Sequence, residues 1–349
     1  MAAYAKRIRD RGKTDMIIDV SAHILPKRYL KERNKRAGAA FATQYAKYPE
    51  ANPGLTDLDV RFRVMDKFEG LVQVLTIAGP NVESITEPKD TVEICRIAND
   101  EMADLITRYP DRFVGAIASL PMNDIDAALR EAERAIHELR FRGVEIFTDI
   151  CGKPVDTKEF MPLYEMMESL NLPIFLHPRR TNTTADYPGE KTSKYLIFTN
   201  FGWPFETSRA MGRMAFGGVL DQYPNLKVIT HHAGGMIPFF SKRIQLSWDF
   251  NEMRMGYRTE HPLRKAPLDY YRMFYCDTAI QGNTPALMCA YEFFGPKKML
   301  FGTDMPYDNQ LGERVCRETI QAIQKMNISD VEKGMIFEKN VRRIMRLPV

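Results

Sequence analysis

Short apolar runs alternate with amphipathic stretches along almost the whole chain. Eight of these runs often lack polar alternation and are bounded by Gly, Pro or charged residues: Met16–Val20, Val72–Ile77, Phe113–Ala116, Val144–Phe147, Pro173–Leu176, Lys227–Ile229, Met273–Tyr275 and Met299–Phe301. Strands that are buried on both faces of a parallel sheet have this pattern. The pattern therefore predicts eight central parallel strands.

The stretches between these runs carry the periodicity of amphipathic helices, with apolar residues recurring every three or four positions. The clearest of them are Thr91–Arg108, Ile125–Leu139 and Phe160–Leu170. Eight strands separated by helices predict an α/β fold, a single (β/α)8 TIM barrel. A doubly wound sheet is the alternative, but no Gly-rich phosphate loop follows any of the predicted strands.

Two segments stand outside this alternation. Arg28–Thr56 is long and non-periodic, and we predict that it is an insertion capping the barrel at its C-terminal face. Residues 1–15 are basic and are interpreted as an N-terminal extension or a subunit-contact arm. Residues 16–349 then form one barrel domain.

Charge and cysteine content narrow the class of partner. The 349-residue chain has a formal net charge of +4, and its acidic and basic residues are interleaved, which favours neither nucleic acid nor an anionic membrane as a partner. No apolar run approaches the ~20 residues of a membrane span. The five cysteines are widely spaced without a Cys-x-x-Cys pair, so we expect no disulfide framework and a cytoplasmic location.

Reactive side chains follow the predicted strands, at the end of such a barrel where chemistry is found. His23 follows the first strand, His177 the fifth, His231 and His232 the sixth, and Asp304 the eighth. Imidazole and carboxylate groups from separate strands suit a divalent metal with an open position.

Each of these residues has an alternative interpretation when it is taken alone. A single histidine after a strand is more often a hydrogen-bonded buried group, and an aspartate before Met-Pro can simply begin a turn. His231 and His232 cannot both point at one centre in a continuous strand, so we expect one of them to be structural. His137 and His261 are interpreted as structural or surface residues.

Several motifs together resemble one branch of a known family. They are Asp19–Pro26 (DVSAHILP), Arg112–Pro121 (RFVGAIASLP), Leu176–Pro178, Gly202–Thr207 (GWPFET), Gly217–Gly235 and Leu300–Tyr307 (LFGTDMPY). The chain is similar to the aminocarboxymuconate semialdehyde decarboxylase branch of the amidohydrolases. That branch also contains resorcylate, dihydroxybenzoate and carboxyvanillate decarboxylases, and some hydratases and carbon–carbon hydrolases.

The resemblance implies a divalent metal, zinc or manganese, and assigns roles to individual residues. His23, His177 and Asp304 match the family's metal ligands. His232 matches its catalytic histidine, as the spacing to Pro238 identifies it rather than His231. Asp304 would also carry a proton, so the implied catalytic residues are His232 and Asp304. The resemblance further implies a homodimer or a higher homo-oligomer.

Ser21 departs from the family pattern, which has His or Glu at this position. A neutral hydroxyl is a poor ligand for a divalent ion. Three outcomes stay open: Asp19 or water substitutes, three protein ligands suffice, or the metal is weak or absent. We favour three ligands, because catalytic sites with three ligands and solvent are common.

Substrate recognition is the second departure. The family's carboxylate-binding arginine near the first strand has no clear counterpart between Arg36 and Arg61. Arg179 and Arg180, directly after His177-Pro178, are our candidates, since a guanidinium group can bind a carboxylate with two hydrogen bonds. Two solvated loop arginines are the alternative.

The leading hypothesis is a metal-dependent, non-oxidative decarboxylase acting on a small aromatic or unsaturated carboxylic acid. A metal-dependent hydrolase or hydratase of a related carbonyl or carbon–carbon substrate is the second, since the branch uses nearly one set of residues for both. A barrel without catalytic activity, with the metal site impaired at Ser21, is the third.

Overall fold

The computed structural model describes residues 16–38, 41 and 48–347. Eight strands lie in these residues: β1 (Ile17–Ile24), β2 (Leu71–Ile77), β3 (Phe113–Ala116), β4 (Val144–Phe147), β5 (Pro173–His177), β6 (Lys227–Thr230), β7 (Tyr275–Asp277) and β8 (Met299–Leu300). Each predicted strand overlaps an observed one. The seventh was placed too early, at Met273–Tyr275, because Met273 still belongs to the turn that ends the preceding helix.

All of the strand pairings are parallel, and they close into a barrel. One sheet has the order β1-β2-β3 and the other β4-β5-β6-β7-β8. A bridge between Ala118 and Val144 joins β3 to β4. The Val20 amide donates to the Phe301 carbonyl at 3.0 Å and joins β1 to the residue after β8. The predicted (β/α)8 barrel is confirmed.

Helices surround the strands and follow the amphipathic stretches. They are α1 (Lys27–Arg36), α2 (Tyr48–Ala51), α3 (Leu58–Met65), α4 (Pro88–Arg108), α5 (Ile125–His137), α6 (Met161–Leu170), α7 (Trp203–Phe216), α8 (Val219–Gln222), α9 (Ile237–Met255), α10 (Pro267–Tyr271), α11 (Thr284–Phe294), α12 (Glu313–Gln324), α13 (Asp330–Gly334) and α14 (Asn340–Met345). The start of α5 shows why the boundaries fall where they do. The Asp124 side chain accepts the Ala127 amide at 3.0 Å, which caps the helix.

The barrel interior is filled by apolar side chains away from the carboxyl ends of the strands. Ile18, Val74, Phe175 and Ile229 form part of a buried cluster there, together with Ile344 of α14. The larger apolar core lies between the strands and the surrounding helices. Since the interior is packed, polar chemistry is confined to the carboxyl ends of the strands.

The described part of the segment Arg28–Thr56 contains more helix than its sequence pattern suggests. Its first part continues the helix α1, so the prediction of a non-periodic stretch was wrong there. The buried guanidinium of Arg33 lies 5.6 Å from the Tyr29 ring centroid and 5.2 Å from that of Phe41, and these contacts hold a helix whose side chains are mostly charged. Capping of the barrel mouth stays a prediction, and the predicted N-terminal extension, residues 1–15, lies outside the described residues.

Among the described residues, no helix has both the length and the apolar character needed to cross a bilayer.

Candidate active site

Asp304, in the loop after β8, lies between two imidazoles. Its Oδ1 is 3.1 Å from Nε2 of His23, and its Oδ2 is 3.5 Å from Nε2 of His232. Burial raises the pKa of Asp304, but its hydrogen bonds with the two histidines outweigh burial, and the net pKa is lowered. Burial in turn lowers the pKa of His23 and of His232, and the carboxylate of Asp304 reverses this to a raised pKa in both. Asp304 is therefore an ionised carboxylate whose charge favours the protonated form of both imidazoles.

His177 ends β5 and belongs to the same cluster. Its Nδ1 is 2.8 Å from the Pro178 carbonyl, and because a carbonyl only accepts, Nδ1 carries the proton and Nε2 keeps its lone pair. The ring centroids of His177 and His23 are 5.3 Å apart. Burial, followed by the charges of His231 and His23, lowers the pKa of His177 well below its usual value. His177 is thus a neutral imidazole whose Nε2 lone pair is free to bind a ligand.

At the end of β6, the side chains of His231 and His232 have different partners. The strand stops at Thr230, and both His232 (φ 57°) and Ala233 (φ 55°) adopt left-handed backbone conformations. The His232 ring stacks on Trp203, with 6.1 Å between centroids. His231 is buried as well, with its ring centroid 4.7 Å from that of His177 and its Nδ1 3.1 Å from Oδ2 of Asp277.

A bulge in β1 separates side chains that the strand period placed on one face. Asp19 pairs with Gln73 and His23 with Thr76, with a register shift between Asp19 and Ala22. Gln73 and Thr76 are three residues apart and so lie on opposite faces of β2. The strand period of two, read from the sequence alone, predicts that Asp19 and His23 share a face. This prediction is wrong, because a bulge inserts an extra residue and re-aims the following side chains.

Asp19 and Ser21 are bound to the loop after β8. The carboxylate of Asp19 accepts the Thr303 amide at 3.0 Å and the Thr303 hydroxyl at 2.5 Å. Burial raises the pKa of Asp19 to about 6. The Ser21 hydroxyl accepts the Asp304 amide at 3.3 Å. Both side chains thus brace the backbone that presents Asp304, and Asp19 is directed away from the imidazoles.

Arg179 and Arg180 already have carboxylate partners in the protein. Arg179 Nη1 is 3.3 Å from Asp149 Oδ1, and Arg180 Nη1 is 3.4 Å from Glu206 Oε1. A bound carboxylate would have to share or replace these partners. Their predicted role in substrate binding stays a prediction.

Aromatic side chains that the sequence analysis left without a role surround the histidines. The ring centroid of Phe147 is 5.2 Å from that of His177, and Tyr307 lies 5.3 Å from His23. Trp203 contacts both His177 and His232. Trp203 and Tyr307 belong to the quoted motifs GWPFET and LFGTDMPY, which was the only signal for them in the sequence.

The two remaining histidines differ from those of the cluster because their side chains are exposed. His137, at the end of α5, and His261, in a loop, are both exposed. Their interpretation as surface residues is confirmed.

The cluster contains the types of donor that a divalent cation takes, and two of its imidazoles have a suitable spacing. Zinc–nitrogen bonds of ~2.0–2.1 Å place the centroids of two imidazoles on one ion roughly 4.5–6.5 Å apart, and the 5.3 Å between His23 and His177 lies in this range. In the described residues no three His, Cys, Asp or Glu side chains are arranged to hold an ion as they stand, since His23 and Asp304 contact each other directly. Holding a cation would therefore need side-chain adjustment within the cluster.

Comparison with known proteins identifies the family. Residues 18–347 match the Amidohydrolase family. The chain is 29% identical over 323 residues to 2-amino-3-carboxymuconate-6-semialdehyde decarboxylase of Dictyostelium discoideum, covering 89% of this chain and 86% of the relative. It is 30% identical over 310 residues to gamma-resorcylate decarboxylase of Polaromonas, covering 86% and 91%.

The solved structure of a relative has the same fold and contains a bound metal ion. Dihydroxybenzoic acid decarboxylase from Polaromonas, with bound manganese and the inhibitor 2-nitroresorcinol, superposes with a TM-score of 0.77 at 25% identity, covering 96% of this chain and 98% of that one. The predicted resemblance is confirmed: this chain belongs to the Amidohydrolase family, in the branch of the aminocarboxymuconate semialdehyde and gamma-resorcylate decarboxylases.

Proposed function

We propose that this protein is a divalent-metal-dependent, non-oxidative decarboxylase of a small aromatic or unsaturated carboxylic acid. The observation that carries the proposal is the position of Asp304, buried between His23 and His232 with His177 beside them. The relatives named above are decarboxylases of acids of this class. The small net charge and the enclosed, aromatic-lined cluster favour a small-molecule substrate.

Metal binding falls to His23, His177 and Asp304. When bound, a zinc or manganese ion would supply Lewis acidity toward the substrate carboxylate. Within the protein, the hydrogen bond from His177 Nδ1 to Pro178 fixes the imidazole with Nε2 free. The Ser21 hydroxyl fixes the loop of Asp304 through its amide. Ser21 is therefore proposed to position a ligand and not to act as one.

Proton transfer falls to His232 and Asp304. Loss of carbon dioxide leaves an electron pair on carbon, and a proton must be delivered there. The carboxylate of Asp304 raises the pKa of His232 against the opposing effect of burial, which favours the proton-carrying form of the imidazole. Trp203 stacks on the His232 ring and sets its orientation. We assign His232 as the acid that protonates carbon, with the carboxylate of Asp304 stabilising the protonated imidazole.

The aromatic side chains are proposed to hold the substrate ring and exclude water. Phe147, Trp203 and Tyr307 present their rings around the cluster, and offset or edge contacts between aromatic rings are favourable by ~0.5–1.5 kcal/mol beyond burial. The Arg180 backbone contacts this group of rings, since Trp203 Nε1 donates to its carbonyl at 3.0 Å. Arg180, and less directly Arg179, are proposed to meet the substrate carboxylate.

The test is a carbon dioxide release assay over hydroxybenzoates and carboxymuconate-type acids, with the protein stripped of metal and reloaded with zinc or manganese. Release that returns on reloading supports the proposal. Incorporation of oxygen from labelled water without carbon dioxide would show a hydrolase or hydratase instead. A protein that binds neither cation, or that turns over no acid when loaded, would contradict the proposal and favour a barrel without catalytic activity.

We also propose that the chain self-associates, as a dimer or a higher oligomer. Helix α9 presents Phe239, Leu246, Phe250 and Met253 on one face, and their side chains are exposed by 57–80%. A contiguous apolar stripe of this kind marks a protein contact in a water-soluble fold. Light scattering at micromolar concentration should return a multiple of 40.2 kDa, and Phe250→Glu should lower it. A wild-type mass of one chain would contradict this proposal.

A further inference from the structure

His231 lies inside the histidine cluster although its neighbour His232 matches the family motif. It follows β6 and is only 1% exposed. Its Nδ1 is 3.1 Å from Oδ2 of Asp277, at the end of β7. The other oxygen of Asp277 accepts the amides of Ala279 at 3.1 Å and of Ala233 at 3.4 Å, so this carboxylate is fixed by the backbone.

The second ring nitrogen of His231 is left without a hydrogen-bond partner. Among the described residues, both ring nitrogens of His231 are buried without a hydrogen-bond partner, but Nδ1 has a 3.1 Å contact with Oδ2 of Asp277, whereas Nε2 has no polar contact of this kind. A buried polar group without a partner costs about 1–3 kcal/mol, so such a group in a native fold calls for a ligand. Since Nδ1 is directed at Asp277, Nε2 is the nitrogen available to that ligand.

The spacing of the three rings suits one shared ligand. The His231 ring centroid is 4.7 Å from that of His177 and 6.3 Å from that of His23. Both distances, like the 5.3 Å between His23 and His177, lie in the roughly 4.5–6.5 Å expected for imidazoles on one ion. Ser21 is not counted among the donors, because a neutral hydroxyl is a poor ligand and its oxygen already accepts the Asp304 amide.

We propose that His231 is a further cation-binding side chain, through Nε2, and that Asp277 orients it by accepting from Nδ1. A carboxylate behind a metal-binding histidine fixes the tautomer and raises the basicity of the ligand. This inference rests on the proposed function, since it names an additional donor for the same cation. The donors would then be His23, His177, His231 and Asp304.

The wild-type protein gives the first test. X-ray absorption at the zinc edge of the zinc-loaded protein counts the imidazoles bound to the ion. We expect three, and two would overturn the inference. His232→Gln should still show three, because we place His232 in proton transfer. A count that falls to two in His232→Gln would show that His232, and not His231, supplies the third imidazole.

Variants give the second test, with chelator competition to measure zinc affinity. Asp277→Asn should weaken binding by about 10–100-fold, the usual effect of losing the partner of a metal-binding histidine. His231→Gln should weaken it by more than Asp277→Asn does. His261→Gln, at an exposed loop histidine, is the matched control and should leave affinity unchanged.

The outcomes separate this inference from the proposed function. Failure of the wild type to bind zinc or manganese would contradict the metal-dependent function itself. Tight binding that survives in a folded His231→Gln variant would contradict the inference alone. If His231→Gln does not fold, as judged by thermal unfolding of the metal-free protein, the imidazole count in the wild type and in His232→Gln decides.

Discussion

The carboxyl-terminal ends of β1 and β6 both deliver histidines to the cluster, but their backbones do so differently. In β1, a bulge between Asp19 and Ala22 lets His23 face the interior while Asp19 faces the surrounding layer. In β6, the strand simply stops, and a left-handed residue at His232 sends two adjacent histidines to two partners. Local backbone irregularity therefore decides which polar side chains meet at the site.

The two ends are also held differently. The end of β1 is braced from outside by the buried guanidinium of Arg61, which donates to the His23 carbonyl and, at 2.6 Å, to Gln73. The end of β6 is braced from the neighbouring strand, through Asp277. Substitutions can therefore distinguish the residues that bind the cation or transfer a proton from the residues that position them.

The largest effect is expected for Asp304→Asn. This change removes the carboxylate that contacts both His23, in β1, and His232, after β6. The change takes away an anionic cation ligand and the partner of His23 and His232. We expect carbon dioxide release to fall by at least about 10⁴-fold. Asp126→Asn, at an exposed position on α5, is the matched control, and comparable loss there would contradict the assignment.

The next largest effects are expected for substitutions of His231 and His232, the two histidines that follow β6, because we assign them different roles. His232→Gln should lower turnover by about 10²–10³-fold and leave zinc affinity within a few-fold of wild type, because it removes a proton donor and no ligand. His231→Gln should instead lower affinity first, with turnover partly recovered at high zinc. Parallel titrations of both variants check this. Identical behaviour of the two would show that the end of β6 does not divide the roles.

Arg61→Met tests the brace behind β1. The variant leaves the Gly54 and His23 carbonyls and the Gln73 amide without their buried donor. We expect the free energy of unfolding to fall by about 3 kcal/mol, on the scale of losing hydrogen bonds to a charged group. Urea unfolding of the metal-free protein measures it, and Arg63→Met on the same helix is the control. A stability equal to wild type would contradict the bracing role.

The smallest effect is expected for Ser21→Ala. The side chain accepts one amide at 3.3 Å, so its loss should cost about 1 kcal/mol of stability. Zinc stoichiometry should stay unchanged, because we assign Ser21 to positioning. Elemental analysis of the purified variant measures it. A variant without metal would show that the serine is itself a ligand.

The sequence by itself determined the barrel and the residues that end its strands. Apolar runs mark buried parallel strands through local composition, and strand ends converge in any such barrel, so His23, His177, His232 and Asp304 could be named together. The helix α1 was missed, because its stability comes from contacts of Arg33 with Tyr29 and Phe41 that its own pattern does not reveal.

Tertiary structure alone decided which of the neighbouring polar residues belong to the site. The strand period aligned Asp19 with His23, but the bulge that separates them depends on pairing with β2, which is far along the chain. Likewise, nothing in a His-His pair indicates that its first member meets Asp277 and lies beside His177. The face of the strand on which a side chain lies, and the residue that it contacts, depend on strand register and on residues distant in sequence. The local pattern of apolar and polar positions encodes neither of them.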